Sequence, residues 1–441
     1  MKIQRIVAGL IVVTVLALVP SLGFTQITSI ANSVVPTEYS SGSQDVIHVF
    51  CGKKGEVNAS LTATSAEPAS FEWQKYNVST GSFDLFINDQ SGSLTSTISN
   101  LQDGAYRVNI TNTSGVKPYT AWVFNNYTET TAEIANSDCN SFTLKGTLDT
   151  PTFTYIDLPT RQSKGLNKGI QVKWTKDNVS VSTVLTSQVF SPPTKDTDYT
   201  LTVTDRFGCL SQSVVRYISI VTKASFTYQP EDQTKSHPSK VEAPLPVVFT
   251  NTSENGDVGK YEWFIYKSRE DIIKESEANP GTVIDSFLTK IYTDSPIYVF
   301  EKPGSYNVKL VSQHKSEFTT CYDTVYIDKF IVVEESFIEA PNFFTPGNGD
   351  AANDYLEIRF FSMKTVKISI FNRWGKVVHV WESNNVQGFG PTRESDPQSV
   401  WDGKVGGRLA TPGVYYYVVE GMGRDDIKRH ANGFVHLFRE K

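Results

Sequence analysis

A chain of 441 residues holds three or four ordinary domains and is too long for one small module. With 41 Lys and Arg against 47 Asp and Glu, the net charge of −6 argues against a protein whose main work is gripping phosphate backbones, so no nucleic-acid partner is expected. The six His residues never fall in a His-Glu-x-x-His spacing and no Cys-x-x-Cys occurs, which excludes the common sequence-encoded zinc and redox sites; apolar residues reach only 39%, yet 12% of the chain is aromatic, a mix that fills β-sandwich cores better than helical bundles.

At the start of the chain, Lys2 and Arg5 precede an apolar run from Ile6 to Val19, then Pro20, Ser21 and Gly23. This order reads as a secretory signal over residues 1–23. The run is shorter than a membrane span, no later stretch approaches one, and the mature chain is expected to have no membrane span. Residues 24–39 read as a polar N-terminal segment.

Beyond it the sequence repeats one pattern. Trp recurs in Phe71-Glu72-Trp73, Val172-Lys173-Trp174 and Tyr261-Glu262-Trp263, at intervals of 101 and 89 residues. A late Tyr follows each Trp in an alternating run, at Tyr106, Tyr199 and Tyr306, and a fourth copy stands at Gly413-Val-Tyr415; these intervals are 93, 107 and 109 residues. Alternation buries every second side chain of a strand, and a central Trp with a late-strand Tyr marks the core of an immunoglobulin-like sandwich of roughly 100 residues. The chain therefore reads as all-β, a tandem array of four immunoglobulin-like β-sandwich domains over residues 40–130, 131–222, 223–333 and 334–441. The charged stretch from Ser268 to Ala278 reads as a short helical insertion between strands of the third unit.

In the first unit, Tyr119-Thr-Ala-Trp122-Val-Phe124 puts Trp122 and Phe124 on the strand face opposite Tyr119 and Val123. Those two rings are a candidate platform for stacking on sugars; the alternative is packing against a neighbouring domain. Four cysteines, Cys51, Cys139, Cys209 and Cys321, allow three pairings, and outside the cytoplasm a close pair oxidises. The roughly 70 residues between Cys139 and Cys209 match the first and last strands of one sandwich, so this pair is the favoured disulfide, with four free buried thiols as the alternative.

No Gly-x-Ser-x-Gly, Walker or dinucleotide motif occurs. Ser114-Gly-Val-Lys117 matches Ser-x-x-Lys but reads as a turn between strands. Glu334 and Glu335 read as solvated residues of an interdomain joint. No enzyme activity is expected.

The third unit, with Val247-Val-Phe249-Thr-Asn251, Tyr261-Glu-Trp263 and Pro303-Gly304-Ser-Tyr306-Asn-Val308, resembles the PKD family of extracellular sandwiches. Phe264-Ile-Tyr-Lys stands where that family usually continues into an Asp-x-Gly-Asp-Gly turn, so the resemblance implies the fold and no ligand. The last unit carries six signals in order. They are Pro341-Asn-Phe-Phe344-Thr-Pro346, Asn348-Gly-Asp350-Ala-Ala-Asn353-Asp354, Asn372-Arg373-Trp374-Gly375, Trp401-Asp402-Gly403, Pro412-Gly413-Val-Tyr415 and Gly433-Phe-Val-His-Leu-Phe-Arg439. Over residues 338–441 this order closely resembles the gliding-motility-associated C-terminal domain, the type B sorting domain of type IX secretion cargo.

Within it, alternation from Val366 to Ile370, a turn at Asn372–Gly375 and a second run from Lys376 to Trp381 predict a hairpin, and Pro412-Gly413 opens a further strand. Arg373 and Trp374 are either a recognition surface on that turn, or Trp374 leans on its own sandwich. Asn348, Asp350, Asn353 and Asp354 gather hard oxygens in one loop, which suits Ca²⁺; an Asx-rich turn satisfied by its own backbone is the equal alternative. The resemblance implies the type IX secretion machinery as partner and a secreted or outer-surface location in a Gram-negative cell after Sec export. The expected role is a non-enzymatic adhesin or stalk with a surface glycan or protein ligand; a surface carbohydrate-binding protein is the alternative.

Overall fold

A computed structural model describes residues 26–42, 44–230, 241–348, 353–386 and 399–439. The proposed leader lies outside them. The described chain is built almost wholly of β-strands, with one helix, Arg269–Ala278, in the region foreseen as an insertion. Ser268 caps that helix by accepting the Asp271 N–H, and it buries none of its residues.

Packing divides the chain into two compact units. One runs through Asn136 and adds Phe142–Val189 and Thr197–Tyr217; the other takes Ser137–Ser141, Phe190–Asp196 and everything from Ile218 onward.

In the first unit, Ala59–Asn77 and Ser82–Leu101 form a long antiparallel hairpin. Its register breaks between Thr64 and Ala69, so the two ends of Ala59–Asn77 take different neighbours: Ile27–Thr28 at one end and Gly104–Asn112 at the other. The sheet continues through Gly115–Tyr127, Val46–Gly52 and Ser33–Pro36, with Val46–Gly52 and Gly115–Tyr127 parallel. Residues 27–28 and 33–36 are thus strands of this sheet. The segment 24–39 expected to be a polar lead-in is in part structural, because Ile27 and Val35 pack against two of the buried clusters. The same unit holds a four-stranded sheet (Val179–Ser182, Gln171–Lys176, Thr197–Thr204, Leu210–Tyr217) and a three-stranded sheet (Thr186–Phe190, Ser141–Asp149, Glu129–Ala135) around Trp174. Glu129–Ala135 straddles the boundary placed at 130/131.

In the second unit, sheets of three and four strands enclose Trp263, and a five-stranded sheet closes the core around Trp401. That last sheet runs in the order Phe343–Phe344, Lys428–Leu437, Gly413–Gly423, Met363–Phe371, Val377–Ser383.

The repeat markers are the cores. Trp73, Trp174, Trp263 and Trp401 are fully buried, and each indole N–H finds an acceptor: Ser96 Oγ, Leu185 O, Thr293 O and Lys404 O respectively. The first two stand directly opposite Val108 and Leu201 on the strand that carries the marker Tyr, and Trp263 stands opposite Leu310 on the strand Val308–Lys315, just after Tyr306. Tyr106, Tyr306 and Tyr415 each donate to a carbonyl four residues upstream, at 2.9, 2.7 and 2.9 Å, the tyrosine corner of such sandwiches. Two residues before each of these stands a glycine, Gly104, Gly304 and Gly413, at φ of 145°, 144° and 150°, a conformation only glycine adopts readily.

The disulfides correct the sequence reading. Cys51 bonds to Cys209 and Cys139 to Cys321; no free cysteine remains. Cys139 and Cys209 do not pair because they belong to different compact units: Cys209 is taken by Cys51 within the first, and Cys139 by Cys321 within the second, each at a Cα separation of 5.5 Å that a disulfide spans.

Candidate recognition surface

Three sets of residues were singled out by sequence, and the structure treats them differently. Trp122 and Phe124 are 3% exposed. The opposite face of their strand, Tyr119 and Val123, packs on the first sandwich's own core, while Trp122 and Phe124 enter a separate cluster with Phe153, Tyr155 and Leu166 from the hairpin Phe153–Asp157/Gln162–Leu166. Phe124 stacks on Phe153 at 4.6 Å, and the Trp122 indole donates to Tyr39 Oη at 2.7 Å. Burial pushes the Tyr39 phenol far above its usual range, so it stays a neutral donor to Asp45. The sugar-stacking reading of this pair is therefore withdrawn, and the packing alternative holds. An open cleft of about 370 Å³ on the same sandwich is lined by residues that include Asp45, Arg107 and Tyr119, and not by Trp122 or Phe124. The Ser-x-x-Lys match is a hairpin turn, with Gly115 at φ 104° and the Ser114 N–H on Asn112 Oδ1.

Of the oxygen-rich loop, Asp350 lies outside the described residues. Asp354 Oδ1 accepts the Gly347 N–H at 2.9 Å, and the Thr345 N–H bonds to the Asn353 carbonyl at 2.8 Å. These bonds are those of an Asx-supported turn. Asp354 and Gly347 also line a cleft of about 300 Å³ with Pro346, Tyr355, Asp402, Lys404 and Leu409. Among the described residues no three His, Cys, Asp or Glu side chains stand close enough to share an ion.

The ordered motifs of the last domain separate into scaffold and surface. Trp401 is core; Asp402 Oδ1 accepts the Lys404 N–H, and Gly403 at φ 71° lies so near Pro346 that a Cβ would stand 2.6 Å from its Cγ. Pro412 and Gly413 lead into the strand that carries Tyr415. Asn372 Oδ1 accepts the N–H groups of Trp374 and Lys376, both at 3.0 Å, and Gly375 at φ 77° closes the turn of the expected hairpin. This rigid turn holds Trp374 away from the sandwich: it is 74% exposed, with the Arg373 guanidinium over its ring at 4.1 Å. Trp374 does not lean on its own core.

A feature the motifs did not reveal continues from this turn. On the outer face of the five-stranded sheet, Phe371, Tyr416 and Phe434 lie side by side across three strands, and Val414, His436 and Phe343 form the next row. Tyr416, Phe434, Phe343 and Phe438 are about half exposed, and His436 stacks on Phe438 at 5.6 Å. The far end of the same face is ordinary solvated sheet, with Lys367 paired to Glu382. That charged end adjoins Gly423–Asp426, which bond to the third sandwich, so the aromatic end is the pole away from those contacts. Period-two alternation shows which residues leave the core; it does not show that two rows of them coincide across strands.

Residues 338–437 match the family model described as the CHU_C Type IX secretion signal domain. The chain carries a type IX secretion signal domain. A secretion signal of this kind marks the protein as cargo for the cell surface or the medium and implies contact with the secretion system. Among solved structures, a tetra-tandem repeat from the extending region of a large adhesion protein is 13% identical, covering 87% of this chain and 96% of its own, with a TM-score of 0.28. The titin fragment I67–I69 is 12% identical with a TM-score of 0.28, over 69% of this chain and 98% of its own. Sidekick-1 immunoglobulin domains 1–5 are 10% identical with a TM-score of 0.23, over 92% and 81%. A search of curated proteins returns no match. No helix among the described residues is long and apolar enough to cross a membrane.

Proposed function

We propose that this cargo is a non-enzymatic adhesin or stalk: a Sec leader at residues 1–23 directs the first crossing, the sorting domain directs the second, and the sandwiches before it, the third of them PKD-like, present a ligand-binding or spacing module outside a Gram-negative cell. The observation that carries the reading is the Asn372–Gly375 turn, which presents Arg373 and Trp374 beside an aromatic pole that the motif residues Phe343, Phe434 and Phe438 share, while Phe344, Trp401 and Tyr415 serve the core. An apolar area with an aromatic–Arg anchor has the composition of an interface hot spot, and it suits docking to the export machinery. The disulfides support the stalk role, since each ties cysteines more than 150 residues apart. The carbohydrate-binding alternative has lost its proposed aromatic platform. Calcium in the Asn348–Asp354 loop would be a structural support for the pole and takes no part in this reading.

Fractionation of cells tests the export half. Deleting residues 338–441 should trap the protein in the periplasm, whereas Trp374→Ala with Phe434→Ser should trap a folded full-length chain. Normal surface amounts of the deletion would overturn the sorting role. Normal export of the double variant alone would overturn only the assignment of the pole. For the adhesin half, cells displaying the full chain should bind a surface that cells displaying the last domain alone do not; equal binding would refute it.

A further inference from the structure

The packing of the first two sandwiches on one another needs only apolar contact, yet it encloses an amine, a carboxamide and a carboxylate in series. Asn126, near the end of Gly115–Tyr127, is 1% exposed; Lys168, just after Gln162–Leu166, and Asp205, just after Thr197–Thr204, are each 7% exposed. Lys168 Nζ lies 2.5 Å from Asn126 Oδ1, and it also donates to Thr150 Oγ1 and, at 3.1 Å, to the Pro151 carbonyl. Asn126 Nδ2 donates to Asp205 Oδ2 at 2.6 Å and lies 2.9 Å from Cys209 Sγ. The second oxygen of Asp205 is fixed by the N–H groups of Phe207 and Cys209 at 2.9 and 3.0 Å. The Phe153 ring lies over Lys168 Nζ at 4.8 Å.

Lys168 is the one buried lysine among the described residues, and no carboxylate lies within ion-pair distance of it. A buried ammonium with neutral acceptors and no counter-ion is costly. Burial draws its proton affinity down, partly offset by the more distant Asp205, and so favours the neutral amine. A neutral amine is a nucleophile; a carboxamide held against it, with a carboxylate on its nitrogen, is an acyl donor whose leaving group already has a proton relay.

We propose that Lys168 and Asn126 form an intramolecular isopeptide bond, with Asp205 as the catalytic proton carrier. Lys168 Nζ attacks Asn126 Cγ and the new C–N bond forms. In the resulting adduct both nitrogens share Cγ, and Asp205, hydrogen-bonded to Nδ2, carries a proton from the incoming nitrogen to Nδ2; the old C–N bond breaks, and ammonia leaves. Overall, one neutral amine and one carboxamide give one secondary amide and one ammonia, with no change in oxidation state and no co-reactant. The water-poor site protects the amine from solvation and holds the two groups as neighbours, the condition under which an otherwise slow aminolysis proceeds. The product would join the strand Gly115–Tyr127 covalently to the segment after Gln162–Leu166, beside the Cys51–Cys209 bond.

Mass spectrometry of the full-length chain purified under native conditions and then reduced is the test. Wild type and Lys168→Met should differ by the substitution plus about 17 Da, the mass of ammonia, a comparison that does not depend on where the leader is removed. Proteolysis of wild type should yield one branched peptide containing both Asn126 and Lys168. Asp205→Asn should retain the disulfide Cys51–Cys209, which reports the fold of this junction, while the branched peptide forms slowly or not at all. If Lys168→Met does not fold, the branched peptide from wild type decides alone. Recovery of Asn126 and Lys168 only in separate, unmodified peptides overturns the proposal; a branched peptide formed equally fast in Asp205→Asn overturns the role of Asp205.

Discussion

The two junctions that each lie within one compact unit are built on opposite plans. Where the first sandwich meets the second, Trp122, Phe124, Phe153 and Tyr155 make a core as dry as any sandwich interior, closed by Cys51–Cys209. Where the third meets the fourth, the contacts are polar. The Ser362 N–H donates to Glu242 Oε2 and its hydroxyl to the Glu334 carbonyl, Lys302 pairs with Asp426 at the surface, and the largely buried Arg424 pairs with Glu301. No cysteine lies beyond Cys321, so no disulfide reaches the sorting domain. Apolar contact and a disulfide hold the first junction; the second is held without a covalent bond, by hydrogen bonds among buried groups such as Ser362 and Glu242 and by ion pairs of which Lys302–Asp426 is exposed at both ends.

Breaking the first junction should have the largest effects. Cys209→Ser removes a link across 158 residues and should cost about 5 kcal/mol in a denaturant titration, with non-reducing peptide maps of wild type recovering Cys51 with Cys209 and Cys139 with Cys321. A map showing Cys139 joined to Cys209 would contradict the structure. Phe124→Ala should cost about 4 kcal/mol and uncouple the melting of the first two sandwiches, because it empties the core between them; a single unshifted transition would show that this core is dispensable.

The next effect is a pH dependence. His48 is buried on Val46–Gly52, its Nδ1 2.7 Å from Ser29 Oγ and its Nε2 without a partner. Burial lowers its pKa to about 4. The unfolded chain, with an ordinary histidine near 6.5, binds the proton first, so the contribution of His48 is intact above pH 6.5 and lost as pH falls toward 4. Wild type should lose on the order of 3 kcal/mol more than His48→Gln between pH 7 and pH 4; parallel stability curves would refute the assignment. The smallest effect belongs to the second junction: Asp426→Asn should leave the melting temperature unchanged, and a clear fall would mean that the sorting domain is held more firmly than its exposed ion pairs indicate.

Legibility in the sequence followed the range of the interaction. Trp73, Trp174 and Trp263, with Tyr106 and Tyr306, could be read because strand alternation and the tyrosine corner are written within a few residues. The Asn372–Gly375 turn was legible for the same reason. The pairing of Cys51 with Cys209 was not, since it depends on a hairpin at 153–166 that leaves its own sandwich and covers the neighbour's strand. That same cover buried Trp122 and Phe124, whose alternation is equally compatible with a wet face. The amine, carboxamide and carboxylate at residues 168, 126 and 205 stand on three separate segments and carry no motif.

The two disulfides overlap along the chain, in the order 51, 139, 209, 321. Drawn as a circuit, they make two knots, one at Cys51 and Cys209 and the other at Cys139 and Cys321, joined by three lengths of chain in parallel: 88, 112 and 70 residues. A pull on the two termini is therefore shared among three strands of backbone, and the shortest limits the stretch between the knots to about 240 Å, against roughly 930 Å for the same 270-residue stretch with both bonds cut. Unfolding of the sandwiches between Cys51 and Cys321 can lengthen that stretch only to this shorter limit.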